Sequence, residues 1–203
     1  MKMKLNVSSN IDNIRTDGRK IKINKRLEIK VPKAATFELN TRHCKVKLPN
    51  IIASGKVSYG SFKADNLTKS KLTIDYATLK INALNACTLI LINVTDAKIA
   101  SVTNSEMINN SSGVKIIRIN ENVTVSDKFG ELTIDSFNPK FVEFILNVNQ
   151  SNATIILGNI NSTFKYNLNS VKLENKRLEK SDKNTSTPNT IKVNGNYSQI
   201  VIK

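Results

Sequence analysis

Five lysines recur through the middle of this 203-residue chain at nearly constant spacing: Lys47, Lys63, Lys80, Lys98 and Lys115, separated by 16, 17, 18 and 17 residues. A row of cations at fixed intervals suits electrostatic contact with a polyanion, and these five are the candidate binding residues; the alternative is a plain solvated face. Catalytic chemistry has far less to draw on. The single histidine, His43, stands with Arg42 and Cys44, and Cys87 is the only other cysteine, which is too little for a histidine-based triad, a zinc site or a disulfide framework. Asp65 and Asp135 share a repeat column but lie four repeats apart, while Asp75, Asp96 and Asp127 fall in other columns. That scatter offers no carboxylate pair for glycoside chemistry and no cluster for calcium. No catalytic residue, cofactor or metal is expected. His43 is expected at a corner, and Cys87, in the apolar run CTLILINV, is expected to be a buried hydrophobe.

The elements that must position the lysines follow from what surrounds each one. The tripeptides are Val46-Lys47-Leu48, Phe62-Lys63-Ala64, Leu79-Lys80-Ile81, Ala97-Lys98-Ile99 and Val114-Lys115-Ile116. Each is followed three residues later by another apolar residue (Ile51, Leu67, Leu84, Val102 and Ile119), and a sixth copy, Leu132-Thr133-Ile134 with Phe137, replaces lysine by threonine. Aligned on the lysine, position −4 holds Tyr59, Tyr76, Val94, Ser111 and Phe129, and position −3 holds the small residues Gly60, Ala77, Thr95, Ser112 and Gly130. Position −8 holds Leu72, Ile90, Met107 and Val125, and position +5 holds Thr68, Asn85, Thr103, Asn120 and Asn138. The +5 column is expected at a corner, where asparagine tolerates left-handed backbone angles. The aromatic −4 column is either a strip for stacking sugars or ordinary packing.

Alternation with β-branched residues, and no sustained i, i+3, i+4 stripe, excludes helix. A unit of 17–18 residues is too short for a β-α-β crossover, a propeller blade or a leucine-rich repeat. What remains is an all-β fold, a single-stranded parallel β-solenoid (β-helix) with irregular capping strands, whose like columns stack at ~4.8 Å. The apolar columns do not fall at intervals of six, so the coil is expected to be right-handed or irregular rather than a left-handed hexapeptide helix. The expected organisation is a polar N-terminal extension compatible with disorder (1–20), the solenoid (21–173) with Pro32 at a break or edge, a polar loop (174–190) and a C-terminal strand (191–203). That last strand is expected to cover an open edge, with a tight turn at Asn194-Gly195.

Composition narrows the function classes. Asn, Lys and Ile make up 77 of the 203 residues, tryptophan is absent, and the net charge is +15. The first 56 residues carry fourteen of the 31 basic side chains against four acids, so the remainder is close to neutral. An AT-rich genome would produce the same excess through its codons. Eleven dispersed Phe and Tyr make no stacking platform and no recognition helix is visible, so nucleic acid is not expected as a partner. No apolar stretch is long enough to cross a membrane as a helix, and no apolar h-region follows the first lysines. The expected compartment is therefore either the cytoplasm or, for a piece of a longer exported protein, the cell surface.

The runs VPKAATFELNTRHCKVKLPN (31–50), VSYGSFKADNLTKSKLTIDYATLKINAL (57–84) and SDKFGELTI (126–134) resemble the adhesin β-helix family of uncharacterised bacterial, flavobacterial-type surface proteins. The likeness covers roughly residues 20–160. It implies a β-helix, a place at the cell envelope and a role in adhesion, and it brings no catalytic residues. The expected function is a non-enzymatic binding module contacting an anionic polysaccharide or another surface protein. The alternative is a self-associating structural solenoid of cytoskeletal type.

Overall fold

Inward-outward alternation, with isoleucine, valine and leucine at most inward positions, makes the described segments of this chain better strands than helices. The computed structural model describes residues 2–8, 14–16, 19–21, 36–175 and 189–203, and every regular element among them is a strand. In chain order these are β1 (Lys2–Ser8), β2 (Ile14–Thr16), β3 (Arg19–Ile21), β4 (Thr36–Arg42), β5 (Lys45–Leu48), β6 (Ile52–Ser58), β7 (Ser61–Thr68), β8 (Lys71–Asp75), β9 (Thr78–Asn85), β10 (Thr88–Ile92), β11 (Asp96–Asn110), β12 (Gly113–Lys128), β13 (Glu131–Ile134), β14 (Glu143–Asn149), β15 (Asn152–Ile155), β16 (Thr163–Asn169), β17 (Lys172–Asn175), β18 (Thr190–Asn196) and β19 (Gln199–Ile202). Only β2 and β3 pair antiparallel, as a separate hairpin.

All the others stack as a parallel β-solenoid with two main walls. The front wall runs β1, β4, β6, β8, β10, the second half of β11, the second half of β12, β14, β18 and β16. The rear wall runs β5, β7, β9, the first half of β11, the first half of β12, β13, β15, β19 and β17. Between the walls lie inward columns. Phe62, Leu79, Ala97, Val114 and Leu132 form one and Ala64, Ile81, Ile99, Ile116 and Ile134 the next, all buried. Each large member contributes about 1.5–3 kcal/mol by burial, so these columns dominate stability.

Two left-handed corners turn each regular coil. His43, Tyr59, Tyr76, Asn93, Ser111, Phe129, Gln150, Ser170 and Tyr197 occupy the first, while Lys69, Ala86, Asn104 and Glu121 occupy the second. The ladder continues through the first corner: Tyr59 N–H donates to Asp75 O at 3.0 Å, Tyr76 N–H to Ile92 O at 3.0 Å and Phe129 N–H to Asn149 O at 3.1 Å. Except after Glu121, where the exposed Asn122 follows, the residue after each corner points inward, where backbone N–H groups need partners. Ser112, Ser151 and Ser198 supply them at the first corner, accepting from Val94, Gly130 and Ser151 N–H. Ser70, Cys87 and Ser105 do so at the second, accepting from Ala53, Ser70 and Cys87 N–H. Each of these side chains also donates to the carbonyl two residues earlier, as Ser105 does to Thr103 at 2.7 Å and Cys87 to Asn85 at 3.2 Å.

Several expectations need correction. Thr95 is an extra residue in its coil, because Thr78 pairs with Asp96. Its insertion shifts the lysine-based alignment upstream by one. The corner residue is Asn93 rather than Val94, the small inward residue is Val94 rather than Thr95, and the inward partner of Leu72 and Met107 is Leu89 rather than Ile90. The column Thr68, Asn85, Thr103 and Asn120 does stack, but the left-handed angles belong to the following residue.

The last segment does not cover an edge: β18 lies between β14 and β16, and β19 between β15 and β17. Its inward residues Ile191, Val193, Ile200 and Ile202 are fully buried, whereas Phe164, Leu168 and Leu173 of the β16–β17 coil are half-buried. The more apolar coil thus takes the interior slot. Asn194-Gly195 makes no turn, since both lie within β18. A Cβ on Gly195 would come 2.8 Å from Val171 Cγ2, so glycine leaves room for the neighbouring coil. Within the expected N-terminal extension, β1 stacks on β4. Pro32 and residues 176–188 of the expected polar loop lie outside the described residues.

Candidate functional site

Residues flanked by inward apolar neighbours on a strand must point outward, and the rear wall holds five lysines there in register. Lys47 pairs with Lys63, Lys63 with Lys80, Lys80 with Lys98 and Lys98 with Lys115. All five are exposed. Neighbours stand ~4.8 Å apart, where two unit charges in water repel by only ~0.9 kcal/mol, so the flexible stems tolerate the array. Acids border it: Lys98 Nζ meets Asp96 at 3.4 Å and Lys115 Nζ meets Asp135 at 2.9 Å. Asp65 instead accepts from Asn82 Nδ2 at 3.3 Å. Among the described residues, Lys47, Lys63 and Lys80 form no ion pair. Beyond Lys115 the column continues as Thr133, Thr154, Val201 and Glu174, so the cations occupy one half of the wall.

The first corner carries a second line of side chains. Tyr59, Tyr76, Phe129 and Tyr197 are all exposed there, Tyr197 most at 63%. His43 stacks on Tyr59 with centroids 5.3 Å apart, and Tyr59 on Tyr76 at 5.3 Å with planes 8° from parallel. Arg42 lies 5.1 Å from the Tyr59 ring centre and Lys128 Nζ 4.9 Å from that of Phe129. His43 is thus a corner residue, as expected.

A buried polar pair interrupts the core where the front wall passes through β11 and β12. Asn109 and Asp127 occupy adjacent inward positions and are 1% and 2% exposed. Asn109 Nδ2 donates to Asp127 Oδ1 at 2.6 Å and to Ser112 O at 2.9 Å. Burial pushes the Asp127 carboxyl up to about 6, partly offset by hydrogen bonds from Asn109 and Ser151. Gly130 makes the space, because a Cβ there would lie 2.3 Å from Asp127 Oδ1. Sequence columns missed this pair. Its signal was parity: Asp127 continues the alternation of the inward Val123 and Val125, and Asn109 follows that of Met107.

Cys87 is buried as expected, yet it does more than fill space, standing in the second-corner ladder where serine stands in adjacent coils. Burial pushes its thiol above the usual range. Cys44 holds the equivalent place at the first corner and donates to Arg42 O at 3.1 Å. Neither cysteine is disulfide-bonded. No group of three or more His, Cys, Asp and Glu side chains suited to a metal ion occurs among the described residues, and no helix there is long and apolar enough to cross a membrane. Comparison with protein-family models, with curated proteins and with solved structures brought no match.

Proposed function

We propose that this protein is a non-enzymatic, adhesin-like binding module at a bacterial cell surface, which holds an anionic polymer along the lysine column of its rear wall. The observation that carries this reading is the unbroken register of Lys47, Lys63, Lys80, Lys98 and Lys115 on adjacent strands. A rigid parallel stack fixes the backbone spacing of the charges, so a linear polyanion meets them without the chain having to reorganise. The resemblance of roughly residues 20–160 to adhesin β-helix proteins supports the surface setting. The test replaces Lys63, Lys80, Lys98 and Lys115 by Gln together and measures binding to immobilised polyglutamate, a sugar-free polyanion, at low and moderate salt. Affinity at low salt is expected to fall at least tenfold, about 1.4 kcal/mol, with a flatter salt dependence. Unchanged binding removes the column from consideration.

One observation favours a second reading, self-association into a structural solenoid. Phe164, Leu168 and Leu173 of the coil formed by β16 and β17 are half-buried, whereas their counterparts Phe144, Val148 and Ala153 in β14 and β15 are buried. A partly exposed apolar face is a surface on which another chain can pack. Light scattering at high concentration decides it: a monodisperse monomer excludes end-to-end assembly.

A further inference from the structure

The front wall carries a polar surface that the lysine column does not use. On β14, β18 and β16, three neighbouring strands, Asn147, Asn194 and Asn167 pair in register, as do Asn149, Asn196 and Asn169. These six line a surface hollow of about 590 Å³, whose lining also includes Ile108, Lys128 and the buried Asp127. Some amides bond to each other, Asn194 Nδ2 to Asn147 Oδ1 at 2.7 Å and Asn169 Nδ2 to Asn196 Oδ1 at 3.1 Å. The side chains of Asn149 and Asn167 make no hydrogen bond among the described residues. Such a field offers paired donors and acceptors with no net charge.

Phe129 and Tyr197 stand on the rim, each directly following a residue of the hollow, Lys128 and Asn196. Both are at least half exposed and both hold left-handed backbone angles, φ 57° and 48°. Aromatic residues adopt that conformation at a cost that Asn or Gly would avoid, so stability alone does not select them. The His43–Tyr59–Tyr76 stack shows that rings on this corner turn their faces along the solenoid axis. Along that axis Phe129 is followed by Gln150 and then Tyr197, since Phe129 N–H bonds to Asn149 O, Gln150 N–H to Asn196 O and Tyr197 N–H to Asn169 O. The two aromatic positions are therefore two coils apart, ~10 Å. Neither makes a ring–ring contact among the described residues, and Gln150 holds the corner position between them.

We propose that this hollow and its rim form a carbohydrate site for an acidic sugar chain. Sugar rings stack on the exposed rings of Phe129 and Tyr197, neighbouring hydroxyls meet the asparagine amides and the Gln150 side chain between the two rings, and Lys128 faces the carboxylate. Apolar C–H faces of a pyranose suit aromatic faces, vicinal hydroxyls suit paired amides, and the cation selects acidic over neutral sugars. A protein partner would call for a larger apolar centre than Ile108 and two rings provide.

The test titrates the full chain with a panel of uronate- and sialate-containing oligosaccharides and their neutral counterparts, following backbone amide shifts. Saturable binding of at least one acidic oligosaccharide is expected, with shifts centred on β14, β16 and β18. Phe129→Asn with Tyr197→Asn is expected to weaken it at least tenfold, asparagine being the residue best suited to those backbone angles, and an unchanged melting temperature verifies the fold. Lys128→Gln is expected to reduce the preference for acidic over neutral sugars severalfold. Replacing Lys63, Lys80, Lys98 and Lys115 by Gln is expected to leave this binding intact, which separates it from the rear-wall reading. No saturable binding across the panel, or wild-type affinity in the Phe129/Tyr197 variant, overturns the proposal.

Discussion

The coils from β4 to β13 and those from β14 to β19 share one construction but differ in order and surface. The first set stacks in chain order, turns at two left-handed corners and carries cations at its rear-wall centre. The second set stacks out of order, with the last coil of the chain between its two predecessors, and two of its outward front-wall columns are asparagine throughout. The difference shows that inward columns decide where a coil sits, whereas outward columns are free to vary. In the first half that freedom holds charge, and in the second half amides.

The sharpest way to break this comparison is to empty an interior position and its terminal counterpart. Phe144 is fully buried and meets Phe137 edge-on at 5.2 Å, while Phe164 in the terminal coil is half-buried and stacks on Tyr166 at 5.6 Å. Phe144→Ala is expected to cost about 3–5 kcal/mol in denaturant unfolding and Phe164→Ala about 1 kcal/mol. Equal losses would mean that β16 and β17 are as enclosed as β14. Amide exchange should rank them the same way, with β18 and β19 protected longer than β16 and β17.

Next in size is the buried pair of β11 and β12. Because the folded Asp127 carboxyl titrates at about 6, above its unfolded value of ~4, the folded state binds the extra proton between those values. Its contribution is therefore most favourable below pH ~4 and is lost as pH rises to ~6, by about 2–3 kcal/mol, with no further change above. Asp127→Asn keeps the acceptor for Asn109 and removes the charge. The variant should be more stable than wild type at pH 7.5, and the gap should close at pH 4.5; a gap independent of pH would mean that Asp127 is not desolvated.

The smallest expected effects contrast the two stretches of the first corner. Tyr59 is stacked on both sides, so Tyr59→Asn should lose about 1 kcal/mol despite the better backbone fit. Phe129→Asn and Tyr197→Asn lose no ring partner and should leave stability unchanged or raise it by up to about 1 kcal/mol. A loss above 1 kcal/mol at either would show that those rings pack rather than project.

Much of the fold is visible in the sequence because inward positions tolerate only a narrow set of residues. The columns on either side of the lysines, and the lysine column itself, stand in the structure as their spacing predicts. One inserted residue, Thr95, was enough to misplace Ile90 and Val94, since a shift of one reverses which wall face a side chain occupies. The second left-handed corner falls one residue after the expected column, at Lys69, Ala86, Asn104 and Glu121, because corner side chains point outward and are unconstrained in type. The stacking order of the last coils depends on competition between two apolar sets for one slot, which no local pattern records. The asparagine hollow escaped for the same reason: it exists only because β18 brings Asn194 and Asn196 between the asparagines of β14 and β16.

The central claim, that polyanion contact runs through the rear wall, faces a competitor within the same chain: residues 1–35 hold seven Lys and three Arg against three acids. Backbone amide shifts during titration with a sugar-free polyanion, polyglutamate, separate the two most directly. Binding by the lysine column requires shifts concentrated on β5, β7, β9 and the first halves of β11 and β12, abolished by the Lys63, Lys80, Lys98 and Lys115 to Gln substitutions. Shifts confined to residues 1–35, unaffected by those substitutions, would contradict it.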